Sequence, residues 1–539
     1  MSNERFDFDV VVAGYGPTGQ ATASLLARQG HKVCVFEKFP TLYGQPRLCT
    51  VDGETARIIQ ASGDVDRAFR VSSWCRKYEL EDTDGELITA MDWSDLHICG
   101  YPGRISFYQP DVEETMDATA RERGVEVNQG WEVVSFEDDA DGITVTARQR
   151  DMGYGSREIG ERTVRARYLV GADGAKSAVR EAAGITRQDF GFRDAFLSVD
   201  CERIGEIPTK LNRGVAITIC DPGRTIAFIP IGSHRMRFEF LVNPDDDHSA
   251  MLVPEIGYDF LEQAWGLTRD QVRIYRQVIY PFEGKLADQW RKGHVLLAGD
   301  AAHLMPPFLG QGACSGMRDA INLAWKLDLV LDGTSDESLL DTYELERSPH
   351  AEVLIRGSIA LGEVACERDP VKAAARDEAF RTGQVPPPPD DPTLLDGVLH
   401  RGEDGELGPY VGDLIEQGIV RRDGEVGRFD DIVGWGFHLL GYEFDPLEKL
   451  DDEQRGFLEQ IGCHAVMITN DPDAGGILDL DRTYEAFSKD REMIEAILVR
   501  PDFSIFGVGW SADDVPALVD ELRERLQLTA DADVTAAVS

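Results

Sequence analysis

Hydrophobic positions near the start of the chain change their spacing twice. Phe8 to Ala13 is typical of a buried strand, because Val10 to Ala13 form a continuous apolar run. From Pro17 to Gly30 the alanines and leucines are spaced as in a helix, with proline at its first position and glycine at its end. Val33 to Phe36 is apolar again. The pattern predicts a strand, a helix and a second, parallel strand.

The middle of the chain has a different pattern, in which apolar runs are separated by short polar turns. The runs 215–220, 225–230 and 236–242 each predict a strand, and Asp221-Pro222-Gly223 is typical of a turn between two of them. Strands joined by turns rather than by helices predict a mostly antiparallel sheet.

The tail of the chain mixes both patterns. Pro386 to Pro392 contains five prolines and predicts a stiff, extended connector. Beyond it, strands are predicted at 434–440, 465–469 and 497–507, and a final helix at 515–526. The tail is therefore predicted to be a separate α/β unit.

A glycine-rich turn lies between the first strand and the first helix. Gly14 suits the tight turn, Gly16 lets a pyrophosphate approach the backbone, and Gly19 lets helix and strand pack closely. The helix begins at Pro17 and Thr18, and its free N–H groups and dipole favour phosphate. The turn predicts a dinucleotide site.

The second strand ends in an acid, Glu37, followed by Lys38. A carboxylate at this position can accept hydrogen bonds from both ribose hydroxyls of an adenosine. It disfavours a 2′-phosphate, so the site should hold FAD or NAD rather than NADP. Lys38 is included among the predicted cofactor contacts.

Two later blocks distinguish between FAD and NAD. Asp173-Gly174 ends an apolar strand, and Gly299-Asp300 ends another. Asp300 can bind a ribityl hydroxyl, which FAD has and NAD lacks. The chain then continues through Pro307, Gly310, Gly312 and Ala313 into a helix predicted from 313 to 331. The N-terminus of that helix would stabilise negative charge on a reduced flavin.

These motifs resemble those of the class A flavoprotein monooxygenases, the FAD-dependent aromatic hydroxylases. The resemblance extends to Pro46-Arg47, to Phe107-Tyr108-Gln109-Pro110 and to the segment from Gly310 to Leu327. Within the family the chain is most similar to the 3-(3-hydroxyphenyl)propionate hydroxylases. The resemblance is strong over the first 350 residues and weaker in the tail, around Leu498 to Asp502.

The family resemblance implies the chemistry and further contacts. FAD would be reduced by NADH or NADPH, and O2 would then form a C4a-hydroperoxide that hydroxylates a phenolic substrate ortho to its hydroxyl, as in aromatic catabolism. Arg47 would lie near the FAD pyrophosphate, Gln109 near the ribityl chain or a phosphate, and Asp173 would serve both nucleotides. An FAD oxidoreductase without oxygen insertion and a non-catalytic flavin sensor remain as alternatives.

No catalytic side chain and no metal-ligand set can be identified from the sequence. The candidates at the flavin are the loop residues Pro307, Gly310 and Gly312. Cys314 stands where many relatives have Asn, so a flavin contact by that side chain is in doubt. Cys49, near the position of a suspected phenol base in some relatives, is interpreted as a packing residue. His303 is interpreted as a residue that holds its loop.

The motifs divide the chain into five predicted segments. The fold class is α/β, in which a Rossmann-like FAD-binding domain carries an inserted, mostly antiparallel substrate domain and is followed by a thioredoxin-like domain. Without a Cys-x-x-Cys pair that last domain should be redox-inert. The segments are 1–185 (FAD-binding), 186–284 (substrate sheet), 285–360 (FAD-binding), 361–404 (connector) and 405–539 (thioredoxin-like).

Composition limits the partners. The formal net charge of −42 disfavours binding to nucleic acid or to an anionic membrane surface. Nine cysteines without metal spacing suggest free thiols in a reducing compartment. The polar start of the chain lacks the apolar region of a signal peptide. We therefore expect a cytoplasmic enzyme whose partners are a phenol and O2, with a homodimer as a possible assembly.

Overall fold

Strands in four sheets organise the chain in a computed structural model, which describes residues 5–150, 158–385, 392–402, 404–491 and 493–526. Most of the predicted proline-rich connector lies outside these ranges. The strands, numbered along the chain, are β1 Phe8–Ala13, β2 Val33–Glu37, β3 Thr50–Asp52, β4 Ser73–Trp74, β5 Lys77–Glu81, β6 Leu87–Asp92, β7 Arg104–Ser106, β8 Glu126–Gln129, β9 Trp131–Asp139, β10 Gly142–Arg150, β11 Glu158–Gly171, β12 Arg187–Arg203, β13 Val215–Ile219, β14 Ile226–Ile231, β15 Arg235–Leu241, β16 Val272–Ala287, β17 Arg291–Lys292, β18 Val295–Leu297, β19 His303–Leu304, β20 Ile419–Arg422, β21 Glu425–Arg428, β22 His438–Tyr442, β23 His464–Thr469, β24 Ile477–Asp479, β25 Ala496–Val499 and β26 Ile505–Gly509.

Helices connect and cover these strands. They are α1 Pro17–Arg28, α2 Gly53–Ser62, α3 Val65–Ala68, α4 Gln109–Glu122, α5 Ala178–Ala182, α6 His248–Met251, α7 Pro254–Trp265, α8 Gly312–Leu331, α9 Asp341–Ala365, α10 Pro370–Arg381, α11 Phe429–Val433, α12 Asp452–Gln460, α13 Thr483–Asp490 and α14 Val515–Arg525. Short 3₁₀ turns include Gly299–Ala301 and Pro307–Leu309, both in the region of the third motif.

The first sheet has the Rossmann-like arrangement that the sequence predicts. Its order is β17-β18-β11-β1-β2-β8, and β18, β11, β1, β2 and β8 are parallel. The antiparallel strands β9 and β10 extend it from β11. Val10, Val11 and Val12 are fully buried, as expected for a central parallel strand. The carboxyl ends of β1, β2, β11 and β18 therefore bring the three sequence motifs to one edge.

The second sheet is mostly antiparallel, also as predicted, with the order β19-β16-β12-β15-β14-β13-β5-β6. Only β5 and β13 pair in parallel. Strands β5 and β6 come from residues 77–92, which the predicted segments place in the first part of the FAD-binding domain. The sheet is thus not confined to the insert, and the five segment boundaries stay a prediction.

The tail forms a third, mixed sheet with the order β21-β20-β24-β23-β22-β25-β26. The single strand predicted at 497–507 is wrong, because β25 and β26 are two antiparallel strands. The chain turns between them, with Phe503 at φ 67°. The strand predicted at 434–440 begins only at His438, because Gly434 and Gly436 have φ 103° and 156°.

A buried ionic cluster joins this tail to the helices of the FAD-binding region. Arg500 Nη2 lies 2.6 Å from both Glu346 of α9 and Asp502. Lys326 of α8 lies 2.8 Å from Glu346, and Asn322 donates to Glu346 and Asp502. Charges this deeply buried require partners, so the cluster fixes how the tail packs against α8.

The described residues include every cysteine of the chain. All nine cysteines are free thiols, and only Cys463 is not fully buried. None of the helices in the described ranges is at once long and apolar enough to cross a membrane. His31, Asp328 and Asp332 come within metal-ligand distance of one another, but His31 Nε2 already pairs with Asp328 at 2.7 Å. We assign no metal to this surface group.

Candidate functional site

The turn after β1 is built from two glycines with different constraints. Gly14 has φ 96°, and a Cβ placed on it would lie 2.3 Å from the carbonyl oxygen of Ala172. Gly16 has φ −75°, and a Cβ there would meet no heavy atom within 4 Å. Gly14 is therefore required by the fold, whereas Gly16 keeps open the space in front of the α1 N-terminus.

Glu37 lies beside this turn, at the end of β2. Its two carboxylate oxygens accept hydrogen bonds from the backbone N–H groups of Tyr15, at 2.8 Å, and Phe39, at 2.9 Å. These bonds fix the carboxylate at the cavity wall, and each oxygen keeps a lone pair for a further donor. The geometry suits the predicted contact with ribose hydroxyls.

A cavity of about 330 Å³ opens in front of these groups. All the predicted cofactor-binding residues line it except Gly19 and Gly299. A Cβ on Gly19 would lie 2.3 Å from the Gly14 oxygen, and one on Gly299 would lie 2.7 Å from Thr18 Oγ1. These two glycines act behind the wall, where they let α1 and the third motif pack closely. As direct cofactor contacts, the lining residues remain a prediction.

The second and third motifs face the turn across the cavity. Asp173 lines it, and its Oδ2 accepts from Val179 N at 3.1 Å, while its buried Oδ1 has no partner among the described residues. The Asp300 carboxyl lines the cavity, and desolvation by the surrounding protein raises its pKa. Acceptors turned toward open space fit a ligand rich in hydroxyl groups, such as the ribityl chain of FAD.

The loop from Pro307 to Gly312 leads into α8 and carries the predicted chemistry. Gly310 has φ 64°, and Pro307, Gly310, Gly312 and Ala313 all line the cavity. Helix α8 begins at Gly312, one residue before the predicted start, so its free N–H groups lie at the wall. The loop can therefore present backbone donors to a bound flavin.

His303 stabilises the region behind this loop, as the sequence interpretation proposed. It is fully buried, and its Nε2 lies 2.8 Å from Asp319 Oδ2. Asp319 also accepts from Gly299 N and from Arg347 Nε, each at 3.0 Å. One carboxylate on α8 thus ties the Gly-Asp turn to α9.

A second network, which the sequence did not predict, anchors α8. Arg318 donates to Asp52 Oδ2 and to Gln311 Oε1, both at 2.8 Å, and it also pairs with Glu54. Burial would raise the pKa of Asp52, but the charges of Arg318 and Arg104 hold it well below its usual range. Gln311 and Arg318 stand two helical turns apart, a spacing that could have suggested a shared face.

The predicted roles of Arg47 and Gln109 differ in what their side chains do. Gln109 accepts from the backbone of Arg47 at 2.7 Å and of Leu48 at 2.8 Å, and it donates to Glu113. Its amide is therefore engaged in holding the loop that carries Arg47. The Arg47 guanidinium lies 4.0 Å from the ring of Tyr43 and lines the cavity.

The two cysteines at the site behave as apolar residues. Burial raises the pKa of Cys314 to about 11 and that of Cys49 to about 12. Cys314 Sγ lies 3.5 Å from the carbonyl oxygen of Gly310, so the thiol faces the protein backbone. Neither group would be a thiolate near neutral pH, which agrees with the interpretation of Cys49 as a packing residue.

Glu113 provides a pH-dependent feature of the cavity wall. Burial raises its pKa to about 7, even though a hydrogen bond from Gln109 and the charge of Arg47 lower it.

The folded protein therefore holds the Glu113 proton more tightly than the unfolded chain does, and the free energy of unfolding should fall as pH rises from about 4.5 to 7. In Glu113→Gln that loss is absent. The variant should gain up to about 3 kcal/mol in unfolding free energy relative to wild type at pH 8 and little at pH 4.5.

Urea unfolding of both proteins across this pH range measures the gain. Glu114→Gln is the matched control, because Glu114 is the exposed next residue of α4. The control should follow the wild-type pH profile. Parallel profiles for wild type and Glu113→Gln would contradict the assignment of the titration to Glu113.

Comparison with known proteins agrees with this geometry. Residues 7–358 match the family described as "FAD binding domain", and residues 412–525 match the "HcaD C-terminal domain". The chain is 34% identical to a "Probable NADH-specific resorcinol 4-hydroxylase" of Rhodococcus jostii (strain RHA1), over 95% of this chain and 94% of that protein. It is 31% identical to a "3-(3-hydroxy-phenyl)propionate/3-hydroxycinnamic acid hydroxylase" of Mycobacterium sp. (strain JLS), over 93% and 89% of the two chains.

Among solved structures, a ternary complex of aklavinone-11 hydroxylase with FAD and aklavinone superimposes with a TM-score of 0.77. That similarity covers 98% of this chain and 100% of the other, at 25% identity. The family match spans more than half of the chain, and the similarity to the two sequence relatives extends through the tail. The chain therefore belongs to the FAD-dependent aromatic hydroxylases, the class A flavoprotein monooxygenases.

Proposed function

We propose that the protein uses NADH to hydroxylate a small phenol ortho to its hydroxyl group. The observation that carries this proposal is an aromatic wall next to the flavin loop. The Phe308 ring, which follows Pro307, meets the rings of Phe192, Phe196 and Phe282 edge to face, with centroids 5.9 to 6.0 Å apart. Such a wall favours a flat apolar ring over a charged or extended substrate.

The reaction balances with these components. NADH, a proton, O2 and the phenol give NAD⁺, water and the hydroxylated phenol, so one oxygen atom enters the ring. Bound FAD would supply the hydride acceptor and the activation of oxygen. The residues that would hold it are the α1 turn, Glu37, Asp173 and Asp300, all of which line the cavity.

The protein itself would contribute a fixed position of the flavin loop and the exclusion of water. Arg318 holds Gln311 of the flavin loop, and Asp319 holds the Gly-Asp turn behind it, so the backbone N–H groups of the loop would stay in a fixed position. The four phenylalanines pack in one hydrophobic cluster beside the loop. Donors fixed in advance in a dry site stabilise developing negative charge more than mobile water does.

The names of the relatives support the proposed reductant and substrate class. The resorcinol hydroxylase of Rhodococcus is named as NADH-specific, and both sequence relatives are named for phenolic substrates. Glu37 disfavours a 2′-phosphate in the site at the α1 N-terminus. Because FAD would occupy that site, Glu37 does not discriminate between NADH and NADPH as the reductant. A role in aromatic catabolism fits these substrates. The reducing cytoplasm fits the free thiols.

The test is a panel of phenols, including resorcinol and 3-(3-hydroxyphenyl)propionate, under ¹⁸O2. A substrate should stimulate NADH oxidation and give a product carrying one ¹⁸O atom. Turnover without labelled product would favour an oxidoreductase that does not insert oxygen. The absence of any NADH or NADPH oxidation would favour a flavin-binding sensor. Light scattering of the same sample tests the proposed homodimer.

A further inference from the structure

The rim of the flavin cavity has a cationic and aromatic surface that the proposed chemistry does not yet use. We call it the Arg235 patch. Arg235 lies 3.8 Å from the ring centroid of Tyr108, much as Arg47 lies over Tyr43. Neither arginine forms an ion pair with any residue that the structure describes. The patch consists of Tyr43, Arg47, Tyr108, Arg235, Tyr275 and Arg276.

Unpaired arginines are unexpected on this protein. The chain has 97 acidic and 55 basic residues, so carboxylates are abundant partners. On β16, which β12 separates from β15, the exposed Arg273 pairs with Glu202, the residue that stands opposite Arg235 in the register of β12 and β15. A guanidinium group that lies over a tyrosine ring can still donate N–H groups to an anion from outside.

The positive charge continues beneath the patch. Asp200 is fully buried between two guanidinium groups, with Arg237 at 2.7 Å and Arg276 at 2.9 Å. Arg237 also donates to the carbonyl oxygens of Pro46 and Arg47. A second carboxylate, Glu239 of β15, also acts on Arg237, and burial raises the pKa of Glu239. The acids Asp111 and Glu114 act on Tyr108 from α4, but they form no ion pair with Arg235.

The patch borders the cavity directly. Tyr43 and Arg47 line the cavity wall, and Tyr108 precedes Gln109, which lines it too. Tyr275 is 36% exposed and offers an aromatic face to solvent. The rim therefore combines guanidinium groups with an accessible ring, next to the predicted cofactor cavity.

We propose that the Arg235 patch docks the reduced nicotinamide dinucleotide, with Arg235 binding its pyrophosphate and an aromatic ring of the patch stacking on its adenine. This proposal rests on the proposed use of NADH. The FAD pyrophosphate has its own predicted site at the Gly14–Gly16 turn, and the aromatic substrate has the Phe308 wall. The patch is thus left for the third ligand, whose pyrophosphate and adenine match its charge and its rings.

The test compares steady-state kinetics of wild type, Arg235→Gln and the control Arg269→Gln. Arg269 also lies over a tyrosine, Tyr258, at 4.2 Å, but Tyr258 packs against the hydrophobic cluster on the opposite face of the sheet. Arg235→Gln should raise the KM for NADH about tenfold, as expected for one lost charge-assisted hydrogen bond. The kcat at saturating NADH, the KM for the phenol and the FAD content should stay unchanged.

A second readout separates the patch from the reaction. ADP-ribose has the pyrophosphate and adenine but no nicotinamide, so its binding to the FAD-loaded enzyme is measured by calorimetry. Arg235→Gln should weaken it by the same factor, and Arg269→Gln should not. Arg235→Lys, which keeps the charge, should recover part of the affinity. High salt should weaken binding to wild type more than to Arg235→Gln.

Each contrary result has a distinct meaning. Loss of FAD from Arg235→Gln would assign the patch to FAD and overturn the proposal, and a change confined to the KM for the phenol would assign it to the substrate. Unchanged ADP-ribose binding would overturn it outright. If the wild type oxidises neither NADH nor NADPH, the proposed function fails, while ADP-ribose calorimetry still tests the patch.

Discussion

Gly16→Ala is expected to give a stable protein that no longer retains FAD. The new methyl group would meet no protein atom within 4 Å, and φ of −75° is ordinary for alanine, so the fold is not disturbed. The methyl group would instead occupy the space through which a pyrophosphate must approach the α1 N-terminus. Loss of one or two charge-assisted hydrogen bonds there corresponds to a Kd for FAD that is about 10- to 100-fold higher.

Gly14→Ala provides the contrast for this experiment. Its methyl group would lie 2.3 Å from the Ala172 oxygen, at a backbone φ of 96°. This variant should lose both FAD and thermal stability, because the strands of the first sheet must separate to admit it. The measurements are the flavin absorbance of the purified proteins and the melting temperatures of their apo forms. Full FAD occupancy in Gly16→Ala would contradict the prediction that the FAD pyrophosphate binds at this turn.

Gly312→Val should uncouple NADH oxidation from hydroxylation. A Cβ at this position would meet only Met305 Cγ, at 3.7 Å, so the protein accommodates it and the rest of the side chain crowds the cavity wall. Hydride transfer tolerates a displaced flavin better than oxygen insertion does, because insertion needs a dry and fixed site. Most of the NADH consumed, roughly nine-tenths or more, should then yield hydrogen peroxide.

Gly312→Ala is the graded control, since it adds the Cβ alone and should stay largely coupled. The ratio of product to NADH consumed, with peroxide measured by catalase addition, gives the coupling directly. A fully coupled Gly312→Val enzyme would show that the loop does not govern oxygen insertion. Loss of FAD from this variant would point to cofactor binding instead.

The three motifs could be predicted because each is a local construction. A strand, a tight turn and a helix N-terminus form from contiguous residues, so the glycines at 14 and 16 carry their meaning in the sequence itself. The parallel strands β1, β2 and β11 then follow from apolar runs. The antiparallel sheet was equally visible, since β13, β14 and β15 are joined by short polar turns.

The misassigned elements show where local pattern is insufficient. Residues 497–507 are apolar enough for one strand, yet the chain turns at Arg500 to Ser504, where Arg500 donates to the buried Glu346 and to Asp502. Strands β5 and β6 join the second sheet across a long sequence separation, through parallel pairing with β13. Pairing between distant segments leaves no periodicity in either one.

The sequence by itself determined the fold class, the family and its FAD cofactor, because glycine turns and apolar periodicity are properties of consecutive residues. Only the tertiary structure decided which partners distant polar side chains bind, and therefore which role each of them has. It shows that Gln109 holds the Arg47 loop, that Arg318 and Asp52 anchor α8, and that Arg235 lies over Tyr108 and forms no ion pair within the described part of the chain. The physical reason is that a polar side chain takes its role from the partner that burial brings to it, and that partner comes from elsewhere in the chain.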